Sequence, residues 1–112
     1  VQTCALPISG AFGPWMMTPD ELGDVTPLRL QTRLNGEIVQ DATIDQMIFD
    51  IPRQIEYCSS FTRLEPGDVI ATGTPGGVGS RRTPPLWLKP GDIVEVEIDR
   101  LGILRNGVAD ET

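Results

Sequence analysis

The sequence predicts a small, mainly β domain of the α+β class, and three observations carry that prediction. Residues 28–34 alternate apolar and polar side chains and run into Asn35-Gly36, a dipeptide typical of two-residue β-hairpin turns. Two near-identical turns, Glu-Pro-Gly-Asp at residues 65–68 and Lys-Pro-Gly-Asp at residues 89–92, each precede a β-prone run. Between the hairpin and the first of these turns, apolar residues at spacings of three and four predict the main helix.

Composition restricts the class of protein. The chain has 112 residues, 39% of them hydrophobic, and a formal net charge of −7. That acidic balance argues against nucleic-acid binding, and no apolar run reaches the roughly 18 residues of a membrane span. The sequence contains no histidine, which excludes a Ser-His-Asp triad, a Cys-His pair or a His-ligated metal site within these residues. Cys4 and Cys58 are far apart, which favours a reducing compartment, and we expect a cytoplasmic protein.

The first nine residues differ in character from the rest. Residues 1–8 resemble the translation of a sequencing-adaptor oligonucleotide that ends within the codon for Ser9. They lack the basic and apolar regions of a signal peptide. We therefore expect residues 1–9 to be a non-native leader, and residues 10–112 to be part of a longer protein.

The segment up to the hairpin is expected to hold short elements. Residues 13–18 should form a turn and a brief apolar strand, and a single helical turn should open at Pro19. In the hairpin, Arg29 and Arg33 should face away from the apolar side of their strand. We expect them to be solvated or paired with acidic residues across the hairpin, on a returning strand at residues 37–41.

The helical pattern follows the hairpin. Thr43 and Gln46 fit a capping box that would start the helix at Thr43. Pro52 lies inside the pattern, and it either kinks the helix or opens a second helical segment. The apolar face is expected to be core, with the cysteine as a small buried hydrophobe. Its members are Ile44, Met47, Ile48, Ile51, Ile55 and Cys58.

A glycine-rich loop follows the first Pro-Gly-Asp turn. Residues 69–72 are expected to form a buried strand that delivers the chain into residues 73–79, which contain four glycines. The hydroxyl of Thr74, beside free backbone N–H groups, could hold a carboxylate, oxyanion or phosphate. The alternative is a wide turn between two strands. The loop lacks the lysine and the spacing of a phosphate-binding loop, which argues against nucleotides.

Two carboxylates on the next expected strand invite a metal interpretation. Glu95 and Glu97 would share one face of strand 93–98, whose partner in a further hairpin is expected at residues 101–106. Such a pair could bind a hard cation. Their alternation with valine and isoleucine favours the simpler interpretation, the polar face of an amphipathic strand.

Several of these segments together carry a family resemblance. In their order along the chain they look like the C-terminal half of the catalytic domain of the fumarylacetoacetate hydrolase family. The resemblance runs from about residue 10 to the end, and the glycine loop with its preceding turn is its most specific part. The segments are Gly13-Pro14-Trp15, residues 28–36, residues 45–49, residues 64–79, residues 88–92 and Gly102-x-Leu104-Arg105-Asn106.

The resemblance implies a mixed β-sandwich roll, incomplete here at its N-terminal side, that is usually a homodimer and uses Mg²⁺ or Mn²⁺. Family members cleave, decarboxylate or isomerise 2-oxo and 1,3-dicarbonyl acids, some of them in the catabolism of aromatic compounds. In the family, a Glu-x-Glu pair and a later Asp hold the ion, and all precede the Gly-Pro-Trp segment. None of these maps onto this chain, and the metal role is not transferred to Glu95 and Glu97.

The resemblance does carry over a substrate contact. It implies that Thr74 contacts the substrate carboxylate or oxo group, with Gly73 and Pro75 shaping that contact through the backbone. On this interpretation residues 10–112 are the C-terminal portion of one catalytic domain, inactive alone, from a hydrolase or lyase acting on fumarylpyruvate- or acylpyruvate-type diketo acids. A dienedioate isomerase or an oxaloacetate-type decarboxylase stays open. So does a non-catalytic β-rich binding or oligomerisation module.

Overall fold

The structure is a computed structural model that describes residues 10–110, so the leader prediction for residues 1–9 lies outside the described residues. Within residues 10–110, four strands form one antiparallel sheet, in which the second strand along the chain is followed by the first, the third and the fourth. The mainly β, α+β class is therefore confirmed. The strands are β1 (Arg29–Leu34), β2 (Glu37–Thr43), β3 (Ile93–Ile98) and β4 (Gly102–Gly107), and the helices are α1 (Pro19–Leu22) and α2 (Ile51–Ser59), with 3-10 turns at Ile44–Gln46 and Gly79–Arg81.

The hairpin between β1 and β2 forms as expected. Asn35 and Gly36 have φ angles of 51° and 88°, the left-handed pair that a tight hairpin turn with matching twist requires. Past the turn, the pairing is interrupted by a bulge. Thr32 pairs with Gln40 while Arg33 pairs with Ile38. Val39 is thus an extra residue on the edge strand.

The hairpin arginines find different partners. Arg29 pairs with Asp41 on β2, which confirms the expected contact across the hairpin. Arg33 instead reaches β3, where it contacts Glu95 at 3.3 Å and Glu97 at 2.7 Å. The expectation for Arg33 was wrong because β1 is an inner strand with acidic neighbours on either side, and the sequence did not reveal that β3 would lie beside it.

The helix begins later than the capping-box pattern predicted. Thr43 is the last residue of β2, and a 3-10 turn separates it from α2. The N-cap of α2 is Asp50, whose carboxylate accepts a 2.8 Å hydrogen bond from the backbone N–H of Arg53. The capping box at Thr43 was therefore wrong. Of the two outcomes open for Pro52, the second helical segment is the one that forms.

None of the helix face predicted to be core is buried, and three of its six members are exposed. Ile48 is 93% exposed and Ile55 45% exposed, whereas the buried apolar side chains among residues 10–110 are Leu22 and Leu28. Cys58, expected to be buried, is half-buried. The core prediction was wrong for the described residues because an amphipathic pattern predicts only which face is apolar. Burial requires a second surface, and residues 10–110 cover this face only in part.

Two predicted strands do not form. Residues 69–72 and residues 15–18 carry no strand assignment, and Val69 and Trp15 are 65% and 61% exposed. A strand exists only with a hydrogen-bonding neighbour, and the described residues supply none beside either segment. The single helical turn at Pro19 is confirmed. No helix within residues 10–110 is both long and apolar enough to cross a membrane.

Candidate functional site

The glycine loop, residues 73–79, lies against the edge strand β2. The side-chain amide of Gln40 joins the two: its Nε2 donates to Thr74 Oγ1 at 2.8 Å and to the carbonyl oxygen of Pro75 at 3.0 Å. The bond spans 34 positions of sequence. The loop is thus held in place by a tertiary contact, and the interpretation as a simple wide turn between two strands was wrong, because no strand precedes the loop.

The bulge at Val39 supplies the second attachment. A bulge leaves the extra residue outside the ladder, and here the carbonyl of Val39 accepts a hydrogen bond from the guanidinium of Arg82. The same guanidinium donates to the carbonyl of Gly77 at 3.0 Å. One arginine therefore clamps the loop to the strand edge.

Glycine is required where the loop meets the bulge. Gly77 has a φ of +105°, and a Cβ built there would lie 2.1 Å from the Val39 oxygen. A Cβ at Gly79 would lie 2.1 Å from the carbonyl oxygen of Leu86, whose N–H donates to the Gly79 carbonyl at 2.9 Å. Two of the loop glycines thus allow the loop backbone to approach another backbone segment closely, Gly77 at Val39 and Gly79 at Leu86.

Thr74 lies where two clefts meet. One cleft of about 610 Å³ runs between the loop and the junction of β2 with the 3-10 turn, and Thr74, Pro75 and Asp41 contribute to its wall. A smaller apolar cleft of about 330 Å³ lies between the loop and the sheet, and Thr74 and Gln40 line it. Of the three predicted substrate contacts, the structure brings Thr74 and Pro75 to the larger cleft. Gly73, with a φ of +101°, lines neither.

The carboxylate in the wall of the larger cleft, that of Asp41, is paired with an arginine. The Arg29 guanidinium, aided by the Gln31 amide, holds the pKa of the Asp41 carboxyl below its ordinary value. The same ion pair raises the pKa of Arg29. Asp41 therefore stays anionic but is charge-compensated, so the cleft wall opposes an anionic ligand less than an unpaired carboxylate would.

The residues present do not fit the implied divalent ion. Within residues 10–110, no group of three or more acidic, cysteine or histidine side chains is arranged to hold a metal. Glu95 is shared between Arg33 and Arg105, and Glu97 contacts Arg33 at 2.7 Å. These bonds hold the pKa of Arg33 above its ordinary value, with Glu97 the larger contributor. Ion pairing, not metal coordination, occupies both carboxylates.

The two residues that position the loop were missed from the sequence. Gln40 belongs to a strand and carries no motif, so nothing in the sequence distinguished it. Arg82 offered a weak signal as half of an isolated basic pair, Arg81-Arg82, in an acidic chain. Arg81 is exposed and Arg82 half-buried. The sequence did not indicate which of the two arginines a loop would withdraw from solvent.

Comparisons with known proteins identify the family to which the chain belongs. The family model for the fumarylacetoacetate (FAA) hydrolase C-terminal domain matches residues 5–109. The mitochondrial oxaloacetate tautomerase Fahd2a of Rattus norvegicus is 46% identical over 97 residues, which are 87% of this chain and 31% of that protein. The chain spans about a third of the length of the curated relatives it matches.

Solved structures match with high coverage. The fumarylacetoacetate hydrolase of Exiguobacterium antarcticum superposes with a TM-score of 0.85 at 40% identity, over 89% of this chain and 36% of that one. The maleylpyruvate hydrolase of Sphingobium sp. SYK-6, in complex with manganese(II) and pyruvate, gives 0.77 at 36% identity, over 87% and 34%. The 5-carboxymethyl-2-hydroxymuconate delta-isomerase of Mycobacterium smegmatis gives 0.76 at 36%, over 89% and 36%. These findings confirm the resemblance seen in the sequence: the chain belongs to the fumarylacetoacetate hydrolase family and corresponds to part of its C-terminal domain.

Proposed function

We propose that the chain is the C-terminal portion of a longer enzyme, the parent protein, which acts on 2-oxo or 1,3-dicarbonyl acids. In this proposal Thr74 contacts the substrate carboxylate or oxo group, and Gly73 and Pro75 shape that contact. The observation that carries it is the placement of the Thr74 hydroxyl, held by Gln40 at the meeting of two clefts. An oriented hydroxyl of this kind can stabilise charge that develops on a substrate oxygen.

The divalent ion belongs to the parent protein in this proposal. Support for Mg²⁺ or Mn²⁺ comes from the maleylpyruvate hydrolase that contains manganese(II) and pyruvate. Because residues 10–110 lack a fitting ligand set, we place the ion's ligands elsewhere in the parent protein. The 112 residues alone should therefore be inactive.

Hydrolytic cleavage of diketo acids of the fumarylpyruvate or acylpyruvate type is our first candidate reaction. Tautomerisation of a 2-oxo diacid is the second, because the rat oxaloacetate tautomerase shares 46% identity with this chain. Isomerisation of a dienedioate is supported by the delta-isomerase match. All three reactions pass through an enol or enolate of a 2-oxo acid, so the same contact from Thr74 serves each.

The test replaces Thr74 with valine in the parent protein, with MnCl₂ present and acetylpyruvate and oxaloacetate as the assayed substrates. Loss of a hydrogen bond to a charged group should raise KM by about 10- to 100-fold. Thr62→Val, at a threonine outside both clefts, is the matched control and should leave KM unchanged. An unchanged KM in Thr74→Val would refute the role of Thr74. Absence of activity toward every 2-oxo acid tried would favour a non-catalytic module.

The proposal extends to the setting of the parent protein. We place it in the cytoplasm, as a homodimer, in the breakdown of aromatic compounds, on the strength of the family membership. Light scattering of the purified parent protein tests the dimer. The rat relative is named as mitochondrial, so fractionation of the source cells is the test of location.

A further inference from the structure

The hydrogen-bond pattern around Gln40 determines the direction of each bond. The carbonyl oxygen of Pro75, 3.0 Å from the Gln40 amide, can only accept a hydrogen bond. The amide atom facing it must therefore be the NH₂ group and not the oxygen. The same nitrogen lies 2.8 Å from Thr74 Oγ1, so Thr74 accepts from Gln40.

This direction leaves the Thr74 proton available. A hydroxyl has one proton and two lone pairs, and Gln40 engages a lone pair. Among residues 10–110, no other side-chain or backbone group is hydrogen-bonded to Thr74 Oγ1. The hydroxyl can then donate toward an acceptor that enters the cleft.

We propose that Gln40 is a positioning residue that fixes Thr74 as a hydrogen-bond donor to the substrate. The inference rests on the proposed function, in which Thr74 contacts a carboxylate or oxo oxygen. Gln40 acts by bonding to Thr74 Oγ1 and the Pro75 carbonyl together, which sets both the position and the polarity of the hydroxyl. The geometry does not require Gln40 to touch the substrate itself.

The proposal explains why an amide suits this position. A carboxylate of the same shape would accept the Thr74 proton and turn the hydroxyl away from the substrate. It would also face the Pro75 carbonyl oxygen without a donor between them, and add negative charge near an anionic ligand. The isosteric change from amide to carboxylate is therefore the most informative substitution.

The experiment measures KM and kcat for oxaloacetate and acetylpyruvate in the manganese-loaded parent protein carrying Gln40→Glu, from pH 8 to pH 5. At pH 8 we expect KM to rise about 10- to 100-fold over the unsubstituted protein. As the pH falls toward the carboxyl pKa, roughly 4.3 in the absence of perturbation, the protonated group regains a donor. The KM ratio of variant to unsubstituted protein should then shrink.

Gln40→Met separates the loss of the hydrogen-bond donors from the effect of an added charge. It removes both donors without adding a charge, so it should raise KM at every pH by the same factor. Gln54→Glu is the matched control, because Gln54 also donates to a backbone carbonyl, that of Phe49 at 2.7 Å, but lines neither cleft. It should leave KM unchanged, and circular dichroism should show all variants folded.

A double-variant cycle distinguishes this inference from the proposed function. If Gln40 acts through Thr74, Gln40→Glu should have little further effect on KM in a Thr74→Val background. Full additivity, or a KM ratio that does not change with pH, would overturn the positioning role and leave Thr74's own role intact. An unchanged KM in Thr74→Val alone would remove the proposed substrate contact, and the inference with it.

Discussion

Two turns of nearly the same sequence lead into different structures. In the first turn the N–H of Asp68 donates to the Glu65 carbonyl at 3.0 Å, and the Asp68 carboxylate accepts from the Glu65 N–H at 2.8 Å. In the second, Asp92 and Lys89 make the same two bonds at the same distances. The glycines of the two turns have φ angles of 103° and 92°. Locally, the two turns are equivalent.

The chain beyond each turn is not equivalent. After the second turn it enters β3, which pairs with β1 and β4. After the first it runs through residues 69–72 without strand pairing. The second turn also gains tertiary bonds, because the Asn35 amide donates to the Asp92 carboxylate at 2.9 Å and the Val108 N–H donates to the Asp92 carbonyl at 2.8 Å. Four residues determine a turn, but a strand requires a neighbour.

The glycine loop after the first turn is held by different means. Instead of a ladder, it relies on the Gln40 bonds, on the Arg82 clamp and on the close approach of Gly77 to the Val39 bulge. A ladder distributes its stability over many similar bonds, whereas the loop depends on these few contacts. Single substitutions should therefore affect the loop more than they affect β3.

The largest effect is expected from Gly77→Ala in the parent protein. A Cβ at φ +105° would be strained and would meet the Val39 oxygen at 2.1 Å. We expect a loss of about 2–4 kcal/mol in unfolding free energy. In Gly76→Ala, the adjacent control, the Cβ meets nothing within 4 Å, so stability should hold or rise by up to about 1 kcal/mol. Denaturant titration measures both, and equal losses would contradict the close-approach argument.

A smaller effect is expected from removing the arginine clamp. Arg82→Ala leaves two backbone carbonyls, those of Val39 and Gly77, without their donor. The expected loss is about 1–3 kcal/mol. Arg81→Ala removes the neighbouring exposed arginine with the same change in charge, and should lie within about 0.5 kcal/mol of the unsubstituted protein. Thermal or denaturant unfolding measures the stability of both variants. An equally large loss of stability in Arg81→Ala would show that the change in net charge, and not the loss of the two hydrogen bonds, is responsible.

The smallest effect is expected in the second turn, where Asn35→Gly should change the pKa of Asp92. The Asn35 amide, and then the Lys89 N–H, hold the pKa of Asp92 below its ordinary value. A carboxyl whose pKa is lower in the folded state contributes stability above its unfolded pKa of about 3.9, and this contribution is lost as the pH falls through the folded pKa. Asn35→Gly keeps the left-handed turn but removes the amide, so the Asp92 pKa should rise.

Carboxyl NMR titration from pH 2 to pH 6 tests this shift. Asp24 serves as an internal reference, because its pKa is lowered by Thr26, outside the turn. Its titration should be the same in both proteins. If the Asp92 pKa stays low in Asn35→Gly, the tertiary bond is not what distinguishes the second turn from the first.

Much of the fold could be predicted from the sequence. The hairpin at Asn35-Gly36, the two Pro-Gly-Asp turns, the helical turn at Pro19 and the β3–β4 pair are short-range features with specific residue requirements. In the candidate site, the order of segments pointed to the glycine loop and, by resemblance, to Thr74. The sequence could not reveal Gln40 or Arg82, whose partners lie 34 and 43 positions away.

The sequence by itself determined the turns, the polarity of each face and the glycines that permit close approach. Only the tertiary structure decided which β-prone run became a strand, that Arg33 pairs with β3 and that Gln40 meets Thr74. The physical reason is range: dihedral preferences and local hydrogen bonds act within a few residues. Burial and strand pairing depend on surfaces that only the assembled chain brings together.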